Sequence, residues 1–92
     1  MYKLLFSKQS QKDSRKIKEA HLEAKCGFLL NVLTKDPFFA RPPYEKLVGD
    51  LHGFYSRRIN IQHRLVYEVD KKNKIVKILQ MWTHYEYFTH HH

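Results

Sequence analysis

Three apolar stretches in the second half of the chain constrain what it can fold into. Phe54 to about Asn60 and His63 to Val69 are rich in aromatic and β-branched residues, with a turn of two or three residues between them. That is the pattern of a β-hairpin. After a charged turn at 70–73, Lys74 to Trp82 carries Ile75-Val76, Ile78-Leu79 and Met81-Trp82 in nearly continuous order. So apolar a run predicts a central strand with both faces largely covered. Ninety-two residues give one domain with little core to spare, so the rest of the chain must pack on this sheet.

The first half supplies the packing elements. Tyr2, Leu4 and Phe6 alternate with Lys3 and Leu5, which suits a short opening strand. Ser7 is a helix cap, and 7–20 is polar, lysine-rich and free of Gly and Pro. Its apolar face is thin, with little beyond Ile17 and Ala20, so this helix is expected to be mostly solvated. Leu22, Cys26, Leu29, Leu30 and Leu33 form a stripe along a second helix. Asp36-Pro37 ends that helix, because a residue before proline disfavours the helical region. Arg41-Pro42-Pro43 continues as an extended connector; 44–48 is a turn or short strand, broken at Gly49-Asp50. The order β-α-α-β-β-β predicts an α+β fold, two N-terminal helices on a small, mainly antiparallel sheet.

Charge narrows the function. Seventeen Lys and Arg against nine Asp and Glu give a formal charge of +8 and a pI near 9.7. Such an excess favours a polyanion: nucleic acid, an anionic membrane surface or an acidic protein. A hydrophobic fraction of 42% excludes a disordered chain. No apolar run approaches the roughly 20 residues that span a bilayer, and no signal-peptide pattern opens the chain. A cytoplasmic protein without a membrane partner is expected. Cys26 is the only cysteine; inside the helical stripe it reads as a buried, inert thiol. The histidines and acids show no metal-ligand spacing, and no cofactor is expected. His90-His91-His92 reads as a purification-tag remnant, leaving a domain of 1–89.

The chemistry-bearing residues sit on the predicted strands. Arg57 and Arg58 are neighbours and point to opposite faces, as do His63 and Arg64. A three-residue hairpin loop sets Arg58 across from Arg64; a two-residue loop sets Arg57 there. Either register places two like charges side by side, an arrangement that favours an anion between them. Arg57, Arg58 and Arg64 are therefore candidate phosphate binders, since a planar guanidinium grips phosphate at two points. Val76, Ile78, Gln80, Trp82 and His84 share one parity, which carries His84 along the apolar face to the strand's end. Histidine there is a candidate for proton transfer; His63 and His52 are weaker ones.

Gly53-Phe54-Tyr55-Ser56-Arg57-Arg58, His63-Arg64-Leu65-Val66-Tyr67 and the late His84-Tyr85 pair together resemble the YoeB/Txe group of mRNA interferases, within the RelE toxin superfamily. The resemblance is close over residues 44–86. It implies a RelE-like fold and a ribosome-dependent endoribonuclease held inactive by a small acidic antitoxin, with a homodimer as a further possible assembly. Glu45, nine residues before Phe54, matches the family's general base for the ribose 2′-hydroxyl. Arg64 matches the arginine that stabilises the phosphorane-like transition state, and His84 the acid that protonates the leaving 5′-oxygen. Arg58 and Tyr85 match supporting positions. The chain departs from the pattern at Tyr55, where many relatives have Trp, and at Val48, where some carry a basic residue. Its first helix also lacks the usual aromatics.

Elementary chemistry agrees with such a trio. Cleavage of RNA by its own 2′-hydroxyl needs a base, an acid and positive charge where the equatorial oxygens become negative. A non-catalytic toxin of the same fold, using the basic sheet only to bind RNA, ribosome or another target, is the alternative. A plain basic nucleic-acid-binding module is the third.

Overall fold

The computed structural model describes residues 1–84, with side chains through Trp82. Strand β1 (Lys3–Phe6) leads directly into helix α1 (Lys8–Glu19). Ser7 makes that transition: its backbone is extended, and its side chain accepts a hydrogen bond from Ser10 N at 3.0 Å. Such a cap contributes on the order of 1 kcal/mol. His21, at φ 59°, takes the left-handed position that closes α1. Helix α2 (Glu23–Lys35) follows and stops at Asp36, whose backbone is extended before Pro37.

Four more strands complete the chain: β2 (Tyr44–Lys46), β3 (Phe54–Arg58), β4 (His63–Asp70) and β5 (Ile75–His84). The sheet runs β1-β5-β4-β3-β2, antiparallel except for the β1–β5 pair. The fold is α+β, two helices on a mixed sheet. The segment after Pro43 takes the strand alternative, so the sheet has five strands. Gly53, at φ 95°, turns the chain from a short 3-10 turn (Gly49–Leu51) into β3. Past the end of β3, Ile59 N still donates to His63 O at 2.9 Å, which leaves a three-residue turn at 60–62, where Asn60 Oδ1 accepts from the backbone N–H groups of Gln62 and His63. Arg58 therefore faces Arg64.

Leu65, Tyr67, Val76, Ile78 and Met81 pack against Ile17, Cys26, Leu29 and Leu33 from the helices. Each such side chain, fully buried, contributes about 1.5–3 kcal/mol. Cys26 is buried, with Sγ 3.8 Å from Met81 Sδ, and burial pushes its thiol pKa up. As expected of an inert thiol, it has little thiolate with which to react.

Three expectations need correction. The final strand β5 is an inner strand, paired with β1 and β4, but it is not covered on both faces: Lys77 and Gln80 are exposed. The parity that tied Gln80 to Val76 and Ile78 is also broken, while His84 keeps it. Tyr67 pairs with Ile78 but Val66 with Gln80, so an extra β5 residue intervenes and Gln80 turns to the face away from Ile78. A second shift between the Val66–Gln80 and Arg64–Thr83 pairs reverses the first, so His84 pairs with His63 in phase with Val76 and Ile78. Helix α1, finally, is not merely solvated: Ser10, Asp13 and Ile17 are buried while Ala20 is exposed. Asp13 is buried because it accepts the backbone N–H of Met81, a tertiary bond with no signature in hydrophobic periodicity.

Candidate active site

Strand pairing collects the polar groups on one face. Glu45 is opposite Ser56, Ser56 opposite Val66, and Arg58 opposite Arg64, so all of them share a face. Arg64 crosses it: Nε donates to Ser56 Oγ at 3.0 Å, and a terminal nitrogen donates to Glu45 Oε1 at 2.8 Å. The Arg64 side chain is only 4% exposed, whereas that of Glu45 is 57% exposed. A deep cation is thus held from behind by a hydroxyl and met at the surface by a half-exposed carboxylate. Arg58, exposed, stands beside it.

The three groups line a cleft of about 510 Å³ with Lys25, Phe28 and Leu29 of α2 and with Pro42 and Pro43. Lys25 and Phe28 are one helical turn apart, and Phe28 is 58% exposed. The cleft therefore combines cations, one carboxylate and a bare aromatic ring, a set suited to a phosphodiester with an unstacked base. The sequence reading missed Ser56, Lys25 and Phe28. An exposed Phe on a helix otherwise patterned for burial was the available signal for the last.

Arg57 does not join this site. It is fully buried on the opposite face. Its guanidinium donates to the carbonyls of Pro37, Phe39 and Pro42 and to the hydroxyl of Tyr67. It also lies 5.2 Å from the Tyr44 ring centre. The role of phosphate binder expected for it is corrected: its donors fasten the α2–β2 connector. Tyr67 donates onward to Pro37 O, and burial pushes its hydroxyl pKa up to about 12, with Arg57 opposing.

His84 ends β5 with its backbone opposite His63, next to the Arg64–Thr83 pair. Its side chain, like all of Tyr85 and 90–92, lies outside the described residues. His63 is buried and stacks on Trp82, with ring centres 3.7 Å apart and planes 16° from parallel. His52 sits exposed after the 3-10 turn, away from the cleft lining. Among the described residues no cluster of His, Cys, Asp and Glu could hold a metal ion, and no helix is long and apolar enough to cross a membrane.

Comparison with known proteins assigns the chain. The family model for the YoeB-like toxin of bacterial type II toxin–antitoxin systems matches residues 5–85. Toxin YoeB of Escherichia coli is 33% identical over 76 residues, covering 80% of this chain and 90% of that protein. Among solved structures, a YoeB/ParE toxin from Agrobacterium tumefaciens gives a TM-score of 0.81 at 30% identity, covering 90% of this chain and 99% of that one. The toxin in a YoeB–YefM complex from Staphylococcus aureus gives 0.76 at 33% identity, covering 92% and 99%. A YoeB dimer from the same species gives 0.77 at 33% identity, covering 91% and 98%. On sequence and on fold alike, the chain belongs to the family of YoeB-like toxins of bacterial type II toxin–antitoxin systems.

Proposed function

We propose that this toxin is a ribosome-dependent endoribonuclease that cuts mRNA in the decoding site by attack of a ribose 2′-hydroxyl on the adjacent phosphorus. The observation that carries the reading is the Arg64 arrangement. A nearly buried guanidinium, braced by Ser56, is paired with a half-exposed carboxylate on one face of a basic sheet. An incoming phosphodiester competes with Glu45 for Arg64, and the displaced carboxylate is left beside the 2′-hydroxyl whose proton it takes. Arg64 then sits where negative charge develops on phosphorus oxygens, the most effective place for a fixed cation. His84, at the strand end nearest Arg64, protonates the departing 5′-oxygen. Arg58 and Tyr85 support the phosphate and the base.

The dependence on a 2′-hydroxyl makes the enzyme RNA-specific by chemistry, with no need for base contacts. The +8 charge supports docking on ribosomal RNA in the cytoplasm. It also supports control by an acidic cognate antitoxin, the counterpart of YefM in the S. aureus complex. A homodimer parallels the YoeB dimer of that species.

The test is cleavage on translating ribosomes with an mRNA carrying a single 2′-deoxynucleotide at the cut site. Cleavage should stop at that site and leave a 2′,3′-cyclic phosphate elsewhere. Cutting that is indifferent to the deoxy substitution would contradict the mechanism. Growth arrest with mRNA intact would favour the non-catalytic alternative.

A further inference from the structure

β1 ends at Phe6, opposite Ile78, but β5 continues to His84. Among the described residues no strand covers the β1 side of β5 beyond that point. Side chains of α1 take over. Ser7 N donates to Ile78 O at 3.0 Å, and Ser7 Oγ donates to Leu79 O at 2.7 Å. Asp13 Oδ2 accepts from Met81 N at 2.9 Å, while its Oδ1 accepts from Gln9 Nε2 at 2.8 Å. The Asp13 residue is 3% exposed. A buried carboxylate on a lysine-rich helix is thus committed to one backbone amide in β5.

The amide it holds lies where β5 is least regular. Pairing with β4 slips once between Ile78 and Gln80 and again between Gln80 and Thr83. Each one-residue slip reverses which face the following residues present. Losing either slip would turn the strand end over and move it by about 3.3 Å. Leu79 and Met81, on either side of Gln80, are the residues that Ser7 and Asp13 hold.

We propose that Asp13, assisted by Ser7, is a positioning residue for the cleavage reaction. It locks the two register shifts of β5 and so fixes where the strand end that carries His84 stands, beside the Arg64–Thr83 pair. The inference rests on the reading of His84 as the general acid. It assigns a function to α1 that neither the cleft nor the family match requires.

Amide hydrogen exchange and single-turnover cleavage on translating ribosomes, measured on the same variants, test it. Asp13→Ala should speed exchange at Met81 and slow cleavage by on the order of 10–100-fold with ribosome affinity unchanged, since a misplacement of about 1 Å can cost 100-fold. Asp13→Asn keeps an acceptor oxygen for Met81 and should recover most of the rate, which a general loss of stability would not predict. Should Asp13→Ala fail to fold, Ser7→Ala gives the same pattern in smaller degree. A Met81 amide still protected in Asp13→Ala, or a wild-type rate with that amide deprotected, overturns the inference. If His84→Ala is slow and Asp13→Ala is not, the positioning role alone falls. If His84→Ala cleaves at the wild-type rate, the acid assignment falls, and the link from Asp13 to catalysis with it.

Discussion

Arg57 and Arg64 are opposite cases of one side chain, seven positions apart on the two strands of a single hairpin. Both are almost fully buried. Arg57 spends its donors on the Pro37, Phe39 and Pro42 carbonyls and the Tyr67 hydroxyl, all fixed groups of the fold. Arg64 has a hydroxyl behind it and, in front, a carboxylate that water already reaches. What separates the structural arginine from the one we propose acts on phosphate is the replaceability of its partners. Burial does not distinguish them. A backbone carbonyl cannot leave to admit phosphate, whereas a half-exposed glutamate can.

The contrast is sharpest in activity. Arg64→Ala should slow single-turnover cleavage by on the order of 10²–10⁴-fold, with Glu45→Ala in the same range and ribosome binding little changed. Arg64→Lys should recover only part, because an ammonium lacks the planar two-point grip. A mild Arg64→Ala phenotype would erase the distinction drawn between the two arginines.

In stability the ranking reverses. Arg57→Ala takes the donor from the Phe39 and Pro42 carbonyls, while Pro37 O keeps the Tyr67 hydroxyl; each group left buried without a partner costs about 1–3 kcal/mol, and the emptied guanidinium site adds to that. A loss of at least about 3 kcal/mol in urea unfolding is expected, allowing for relaxation of the connector. Arg57→Lys should not restore it. An Arg57→Ala protein of wild-type stability would show that the cage does not hold the connector.

Arg58 is the exposed member of the set and should behave as a simple phosphate contact. Arg58→Ala should change stability by less than about 0.5 kcal/mol. It should also lower the slope of log affinity against log salt by about one unit in ribosome binding. Arg57→Lys should leave that slope unchanged.

The smallest effect tests the cage by pH. Because the folded protein raises the Tyr67 pKa to about 12, it favours the protonated hydroxyl. The stability this contributes is complete below the ordinary tyrosine pKa near 10 and is lost as pH rises toward 12. Tyr67→Phe should flatten that alkaline decline in urea midpoints. An unchanged decline would place its origin in other tyrosines or lysines.

Much of this architecture was legible in the residues. The Leu22–Leu33 stripe, the Ser7 cap, the Asp36-Pro37 stop and the hairpin follow from local rules, and the structure has them all. The register of Arg58 on Arg64 depended on loop length, which Asn60 decides through two side-chain hydrogen bonds. Local rules failed where distant groups decide. Arg57 is captured by carbonyls 15 to 20 residues upstream. Asp13 is drawn inward by an amide 68 residues away. The paired shifts in β5 turn Gln80 over and restore the phase by His84, which an alternating pattern cannot reveal. Glu45 became a candidate only through the family pattern; its contact with Arg64 spans two strand neighbours.

The central claim is that Glu45, Arg64 and His84 act on one transition state. Single-turnover cleavage of ribosome-bound mRNA by Glu45→Ala, His84→Ala and the double variant tests it most directly, between about pH 6 and 8 where histidine titrates. Each single variant should be slow, and the double variant should lose much less than the product of the two, as residues acting as a unit do. A His84→Ala protein that cleaves at the wild-type rate across that range, or losses that multiply cleanly, would contradict it.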